Sequence, residues 1–314
     1  MEYTAVIRTL GTAGEKYQQL LDSLECQSIK PKDIIVYIAE GYSLPKETIG
    51  EERYVYVKKG MVAQRALSYD EVKTEYILYL DDDLLFPKDT VANMYFLLKE
   101  NNGDVISPDI FPNAVRPLIS ELMMTLSGRM RARRGDKKWG YKVMRTGGYS
   151  YNKNPNIVLQ SQTNAGAMFL CKKDDFLRIK FDDELWLDEQ KYALGDDQVM
   201  FYKMHKNGLK ILTWYDHKVE HLDGGDNLSP EKERNLIYSD FRFKTIFWHR
   251  FIFLPEKKNL KKLWSTLCIG YAFLFALIIS LIKFQFDILK LKWDAINDGR
   301  NFIKSNEYKL LTRI

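Results

Sequence analysis

Residues 76–83 read Tyr-Ile-Leu-Tyr-Leu-Asp-Asp-Asp, an apolar run followed by three consecutive carboxylates. The run is short and rich in aromatic and branched side chains, which is typical of a buried β-strand. Alternation along a strand would direct Asp81 and Asp83 to the same side. Adjacent carboxylates repel unless a cation neutralises them, and their oxygens suit Mg²⁺ or Mn²⁺, which also bind phosphate. The stretch therefore predicts a strand that ends in a divalent-metal site, and the alternative is a solvated acidic turn.

Strand and helix patterns alternate around this run. Extended and helical segments occur in turn at residues 3–10, 17–24, 33–39, 54–57 and 61–72. This alternation predicts an α/β fold with a mainly parallel sheet flanked by helices on both faces. In such sheets ligands bind beyond the carboxyl ends of the strands, where Gly11, Glu40 and residues 81–83 fall.

The second half of the chain is less regular but holds a second acidic motif. Its predicted elements are a strand pair within 157–170, a helix over 195–207 and an extended strand over 209–221. Asp196 and Asp197 open the predicted helix, where free N–H groups favour carboxylates, so a capping role is the alternative to a chemical one. Of the four histidines, His221 ends the extended segment and His217 lies within it, and both are candidate metal ligands.

The charge distribution disfavours a nucleic-acid-binding protein. The 314 residues carry a formal net charge of +5, and residues 129–138 alone hold six basic residues and one acid. The rest of the chain is therefore balanced, whereas nucleic-acid binders usually spread positive charge over a face. The basic stretch could bind an acceptor phosphate or an anionic lipid surface, or be a solvated loop.

Cysteine usage and the first residues favour a cytoplasmic protein. Cys26, Cys171 and Cys268 are widely spread and include no CxxC pair, which indicates neither a disulfide framework nor a thiolate zinc site. The first ten residues read as a strand rather than a secretory signal, so we expect the N-terminus in the cytoplasm.

The C-terminal part carries a strongly apolar segment. Residues 263–282 contain no charge and are preceded by four lysines within 257–262, which meets the length criterion for a transmembrane helix. A buried or interfacial helix is the alternative. Residues 284–303 alternate apolar and charged side chains at helical spacing, as an interfacial helix would. We therefore predict that residues 255–303 contact a membrane, within a helical tail at 251–314.

The motifs together resemble the GT-A-fold, family 2 inverting glycosyltransferases. The resemblance spans about residues 4–225, and it depends on the order and spacing of its pieces rather than on any one of them. Those pieces are AVIRT at 5–9, LECQ at 24–27, IIVYIAEG at 34–41, GMVAQR at 60–65, LDDD at 80–83, Gly166, FDDE at 181–184, GDD at 195–197 and NG at 207–208.

The resemblance implies a donor site on the first half of the chain. Asp81 and Asp83 would form the DxD element of the family, one carboxylate holding the donor ribose and Asp83 binding the metal on the nucleotide diphosphate. Glu40 stands where the family usually has an aspartate that contacts the base, and Ala39 replaces a second acid. Further donor-binding residues implied by the matching motifs are Thr9, Arg65 and Asp82.

The resemblance also implies an acceptor site. Asp197 would deprotonate the acceptor hydroxyl, while Asp196 replaces the glutamate usual in the family. His221 would complete the metal site, with His217 as the alternative. Inverting transfer needs a base within hydrogen-bond reach of the hydroxyl and no covalent intermediate.

The predicted protein is thus a Mg²⁺- or Mn²⁺-dependent glycosyltransferase that uses a nucleotide-sugar donor. Its catalytic domain would span 1–250, with a donor half at about 1–105 and an acceptor half at about 106–250. The acceptor would be a lipid-linked or polysaccharide glycan of the cell surface, and the site of action the cytoplasmic face of a bacterial inner membrane. The alternatives are a membrane-tethered carbohydrate- or lipid-binding protein and a metal-dependent phosphoryl-transfer enzyme.

Overall fold

The computed structural model describes residues 1–110, 118–126, 130–133, 138–152, 158–192, 194–222 and 229–312. Its strands are β1 (Tyr3–Thr9), β2 (Asp33–Ala39), β3 (Glu52–Val57), β4 (Tyr76–Asp81), β5 (Leu84–Leu85), β6 (Val105–Pro108), β7 (Met130–Arg133), β8 (Tyr141–Val143), β9 (Tyr149–Asn152), β10 (Leu159–Ser161), β11 (Met168–Lys172), β12 (Ile211–Trp214) and β13 (Glu220–His221). Its α-helices are α1 (Glu15–Glu25), α2 (Thr90–Glu100), α3 (Leu118–Leu126), α4 (Lys173–Arg178), α5 (Asp196–Lys206), α6 (Pro230–Phe247), α7 (Asn259–Ile282), α8 (Phe286–Lys304) and α9 (Asn306–Leu310). A 3₁₀ helix covers Phe181–Leu187, and a π-helical segment, Trp248–Phe253, continues α6.

The centre of the fold is an eight-stranded sheet in the order β10-β12-β6-β11-β4-β1-β2-β3. Strands β1 to β4 are parallel, as are β6 and β12, whereas β11 is antiparallel to both β4 and β6, and β10 to β12. The predicted α/β class with a mainly parallel sheet flanked by helices is therefore confirmed.

Strand β4 carries no charge before its last residue, Asp81, because the sheet is covered on both faces. Ile77 and Tyr79 belong to the core that packs against α4 and α5, while Leu78 and Leu80 belong to the core beneath α1 and α2. A strand that is buried on both faces does not show the usual alternation of apolar and polar residues.

Segment 61–72, predicted as a helix, consists of turns and irregular chain. The Asp188 carboxylate accepts hydrogen bonds from the backbone N–H groups of Val62 and Ala63, both at 2.9 Å. A Cβ at Gly60 would come within 2.2 Å of Asp188 Oδ2, so a larger residue there would displace this carboxylate. The apolar spacing resembled a helix, but Tyr69 adopts a positive φ of 54°, which a continuous helix does not permit.

Two further segments differ from the sequence prediction. Strands β10 and β11 are not a hairpin, because β12 and β6 lie between them in the sheet. The extended segment predicted at 209–221 ends at Trp214, and its last residues form β13, which pairs with β5 instead. The proposed role of the basic stretch, 129–138, falls largely outside the described residues.

The C-terminal helices pack on the rest of the chain. Helix α8 runs along α6, with Arg242 Nε donating to Asp298 at 2.7 Å. Phe302 and Tyr308 join the core formed with α4 and α5, and the ring of Phe302 lies 5.7 Å from that of Trp186. Helix α7 has the length and composition of a membrane span, with a mean hydropathy of 2.3.

Candidate active site

The acidic residues after β4 meet β1 at the carboxyl edge of the sheet. Parallel pairing places Arg8 beside Asp81, and its guanidinium binds that carboxylate through two bonds, Nε to Oδ1 at 2.5 Å and Nη2 to Oδ2 at 3.0 Å. Burial alone would raise the pKa of Asp81, but Arg8 and Arg65 outweigh it and lower that pKa to about 2. Asp81 is therefore a fixed anion.

Arg65 connects the two acidic motifs. Its Nη1 donates to Asp197 Oδ1 at 2.5 Å and to Asp196 Oδ2 at 3.1 Å. Its Nη2 donates to the Gly166 carbonyl at 2.6 Å and to Asp81 Oδ1 at 3.3 Å. One planar guanidinium thus binds carboxylates from the end of β4 and from the start of α5. Its N–H donors form a rigid fork that can bind several acceptors at once.

Asp197 is the more accessible acid at the start of α5. The N-cap residue is Gly195, in the left-handed region at φ 87°, so neither aspartate occupies that position. The side chain of Asp197 is 32% exposed, against 8% for Asp196. The Gly166 N–H donates to Asp197 Oδ2 at 2.9 Å, and a Cβ at Gly166 would come within 2.1 Å of the other carboxylate oxygen. Asp197 can therefore meet a substrate hydroxyl while its orientation is held.

Asp196 has a different environment from its neighbour. Burial raises its pKa to about 6, the charge of Asp197 adds to that rise, and Arg65 and Arg8 partly offset it. Its carboxylate lies 3.5 Å from Arg8 Nη1. The Asp196 carboxylate therefore helps to balance the positive charges of Arg8 and Arg65 inside the site.

His221 reaches the acidic triplet through a short ladder. Strands β5 and β13 pair His221 with Leu84, and the Leu222 N–H donates to the Asp83 carbonyl at 2.9 Å. This places His221 Nε2 3.1 Å from Asp83 Oδ1, and the hydrogen bond to Asp83 is the main cause that raises the pKa of His221.

His217 is engaged elsewhere. Its Nε2 lies 2.7 Å from the Asp109 carbonyl, and its Nδ1 accepts from the Val219 N–H at 3.0 Å. Both ring nitrogens thus bind backbone groups, so of the two histidines only His221 contacts the triplet within the described residues.

The residues at this edge fit a divalent cation that is shared with a phosphate ligand. Asp83 and His221 converge as one oxygen and one nitrogen donor. Within the described ranges, no group of three or more His, Cys, Asp or Glu side chains is placed to hold a metal. Mg²⁺ in proteins is commonly bound by one or two carboxylates together with substrate phosphates and water. The excess of carboxylates over the two arginines also favours a cation.

The three other predicted donor residues, Thr9, Asp82 and Glu40, lie at the same edge in different environments. The hydroxyl of buried Thr9 donates to the Asp82 carboxylate and accepts from the Gly11 N–H at 2.8 Å. Burial raises the pKa of Asp82 to about 6, and the charges of Asp81 and Asp83 contribute. Glu40 lies exposed in the turn directly after β2, at the same edge of the sheet.

Sequence reasoning missed two residues that hold the site together. The sequence signal for Arg8 was its position within an apolar strand, because a charged side chain that is buried there needs a partner of opposite charge. Asp188, which fixes the turn before Arg65, gave no signal, since its partners lie more than a hundred positions away.

Comparison with known proteins gives distant similarity only. No protein-family model matches the chain, and no curated protein matches it. The chain is similar to the crystal structure of GalNAc-T7 with UDP, GalNAc and Mn²⁺, at 13% identity over 80% of this chain and 50% of that one, with a TM-score of 0.49. It is also similar to the structure of S. aureus TarS 1–349, at 14% identity over 87% of this chain and 70% of that one, with a TM-score of 0.47. The chain thus spans about half the length of the GalNAc-T7 structure, and its function has to be inferred from the site.

Proposed function

We propose that the chain is an inverting glycosyltransferase of the GT-A, family 2 type, which transfers a sugar from a nucleotide-sugar donor to an acceptor hydroxyl. The observation that carries this proposal is the position of Arg65, whose guanidinium contacts Asp81 at the end of β4 and Asp197 at the start of α5. A donor-side acidic cluster and an accessible carboxylate are thereby held at one sheet edge, as transfer between two bound substrates requires.

On the donor side, Asp83 and His221 would hold the divalent metal. When bound, Mg²⁺ or Mn²⁺ supplies positive charge to the departing diphosphate. Asp81 is oriented by Arg8 and Arg65 and offers fixed carboxylate oxygens to the donor ribose. Thr9 and Asp82 line the adjoining part of the edge.

On the acceptor side, Asp197 acts as the general base. The acceptor oxygen attacks the anomeric carbon, the bond from that carbon to the diphosphate oxygen breaks, and Asp197 takes the hydroxyl proton. Arg65 and the Gly166 N–H fix the carboxylate during this step. A single displacement on the face opposite the leaving group inverts the anomeric centre, so one base suffices.

The cellular setting belongs to the same proposal. Residues 255–303 include the apolar helix α7, which supports membrane contact by its length and hydropathy. Nucleotide sugars are used on the cytoplasmic face, and a lipid-linked or polysaccharide acceptor of a cell-surface glycan would be met there. Localisation at a bacterial inner membrane is part of the same proposal.

The test is a panel of nucleotide sugars incubated with the full chain in Mn²⁺, in Mg²⁺ or in EDTA. We expect metal-dependent release of a nucleoside diphosphate from one donor, and NMR of the transferred sugar to show an inverted anomeric centre. Release of phosphate or pyrophosphate would instead favour a phosphoryl-transfer enzyme. Metal-independent nucleotide binding without any product would favour a binding protein and contradict the proposal.

A further inference from the structure

The face of α7 that contacts the rest of the chain is a narrow stripe. Ser265, Ile269, Ala276 and Ser280 are buried, and they recur on one side of the helix. From Ser265 to Ser280 the stripe extends about 22 Å, at 1.5 Å per residue. Helix α7 therefore lies along the protein for most of its length.

The helices that cover this stripe, α6 and α8, combine apolar contacts with charged side chains. Lys292 of α8 donates from Nζ to Ser280 Oγ at 2.7 Å and to the Ala276 carbonyl at 3.2 Å. From α6, the ring of Phe241 lies 5.8 Å from that of Phe273. Helices α6 and α8 carry many charged side chains along their lengths. If α7 crossed a bilayer in this arrangement, those charges would enter the hydrocarbon, which is costly.

Both ends of α7 are attached to the same domain. Before it, Arg250 of the π-helical segment binds the buried carboxylate of Glu184, with Nη2 2.6 Å from Oε1. After it, Tyr308 of α9 is buried, and its hydroxyl lies 2.7 Å from His249 Nδ1. If α7 alone crossed the membrane, these two attachments would lie on opposite sides, and α8 carries too many charged residues to cross back.

The outward face of α7 is apolar, and α3 lies beside it. The exposed apolar residues of α7 are Leu260, Leu263, Trp264, Leu267, Tyr271, Leu274, Ile278, Leu281 and Ile282. Those of α3 are Leu118, Ile119, Leu122, Met123 and Leu126. Met123 shares the lining of one cavity of about 990 Å³ with Phe275, Ala276 and Ile279. Helices α3 and α7, which both carry exposed apolar residues, thus border the same cavity.

We propose that these exposed residues of α3 and α7 form one membrane-binding face, which lies in the headgroup region of a bilayer without crossing it. The proposal rests on the membrane contact proposed above. It adds the orientation of α7 relative to the bilayer and the contribution of α3 to the contact. The occupant is an anionic lipid surface, because four lysines lie within 257–262 and Lys283 follows the helix. Exposed Trp264, Tyr271 and Trp293 add amphipathic aromatic rings of the kind found at membrane interfaces.

The first experiment determines topology in the full chain. Cys26→Ser and Cys268→Ser remove the accessible native thiols, and single reporters are placed before and after α7 as Lys257→Cys or Lys309→Cys. A membrane-impermeant maleimide is then applied to inverted and right-side-out vesicles. We expect both reporters to be labelled in inverted vesicles only. Labelling of the two reporters from opposite sides would show a span and overturn the proposal.

The second experiment tests the surface itself. Flotation of the purified chain is measured with vesicles rich in phosphatidylglycerol and with pure phosphatidylcholine, for Leu267→Glu on α7 and Leu122→Glu on α3. We expect each substitution to reduce binding to anionic vesicles by about tenfold or more. A charge within the apolar face opposes its insertion into the bilayer. The matched control is Leu44→Glu, an exposed leucine in the loop between β2 and β3, which should bind as the unmodified chain does.

Two results would contradict the proposed face. Unchanged flotation of Leu122→Glu would exclude α3. A chain that ignores vesicles but forms a dimer, and that becomes monomeric with Leu267→Glu, would show a second copy as the occupant. Donor hydrolysis without vesicles is measured on the same samples, so a failure of the proposed enzymatic function is seen separately from a failure of membrane binding.

Discussion

Replacing Arg65 by lysine tests whether the site needs the shape of a guanidinium or only its charge. Arg65→Lys keeps the positive charge but replaces a planar fork of donors by a single ammonium group. In the structure the fork contacts Asp197 and Asp196 through Nη1, and Asp81 and the Gly166 carbonyl through Nη2. One ammonium cannot reach both ends, so at least the bonds of one nitrogen are lost.

The size of the effect follows from the bond to Asp197. A hydrogen bond to a charged group contributes about 1.5–3 kcal/mol, and a factor of ten in rate corresponds to about 1.4 kcal/mol. Loss of the 2.5 Å bond between Arg65 Nη1 and Asp197 should therefore lower the turnover of transfer by roughly 10- to 150-fold. Donor affinity should fall less than turnover, because Arg8 still holds Asp81 through two bonds and Asp83 and His221 keep their contact.

The assay is a steady-state comparison of kcat and donor KM for Arg65→Lys, with a thermal melt to verify folding. Arg53→Lys is the matched control, since Arg53 is an exposed residue of β3 and its ion pair with Asp33 is long, at 3.9 Å. Unchanged kcat in Arg65→Lys would refute the reasoning, because a point charge would then suffice. An equal loss in the control would point to a general effect of lysine on the fold.

Three other substitutions follow from the same geometry. Asp83→Asn should remove metal-dependent nucleotide binding in calorimetry with UDP and Mn²⁺, because an amide does not neutralise a cation. Asp197→Asn should keep that binding but lower transfer by about 10²–10⁴-fold in an activity assay, the usual contribution of a general base. Glu184→Gln should lower the free energy of unfolding by about 3–5 kcal/mol, measured by denaturant titration, because it leaves Lys203 and Arg250 buried without their anion. Burial alone would raise the pKa of Glu184, but Lys203 and Arg250 lower it below 4.5, so its stabilising effect should persist above pH 4.5 and be lost as the pH falls through the lowered pKa.

Two other acidic residues serve as matched controls. Asp89→Asn replaces an exposed acid before α2 whose side chain makes no capping bond, and it should leave both binding and transfer unchanged. Asp183→Asn replaces a neighbour of Glu184 that lies 3.7 Å from Lys203, and it should cost less than about 1 kcal/mol, as partly exposed ion pairs do. Metal-dependent UDP binding by Asp83→Asn, weakened binding by Asp197→Asn, or full stability of Glu184→Gln would each contradict the assigned role.

The sequence was sufficient where a local pattern decides the structure. An unbroken apolar run marks β4 because a strand covered on both faces has no polar side, and the acids that follow it must lie at the sheet edge. The acidic pair at 196–197 likewise falls at the start of a helix, as predicted. The metal and catalytic roles of these residues remain predictions.

The sequence was insufficient where distant contacts decide. Residues 61–72 have helical apolar spacing, yet Tyr69 adopts a positive φ of 54°, which a continuous helix does not permit. The choice between His217 and His221 depends on the pairing of β5 with β13, which involves two residues from each strand. Such contacts join positions far apart in the chain, so the local hydrophobic periodicity of the sequence does not predict them.

The ladder between β5 and β13 has a consequence for how the site opens. Within the described residues, two residue pairs with β5 hold His221 in place, whereas β4 itself is buried between β1 and β11. Local opening of so few backbone bonds requires much less free energy than unfolding of the sheet. Amide hydrogen exchange should therefore be faster at Leu222, which donates to the Asp83 carbonyl, than at Asp81, which donates to the Ala167 carbonyl inside the sheet. The pairing of His221 with Asp83 can thus break and re-form while the remainder of the acidic edge stays in place.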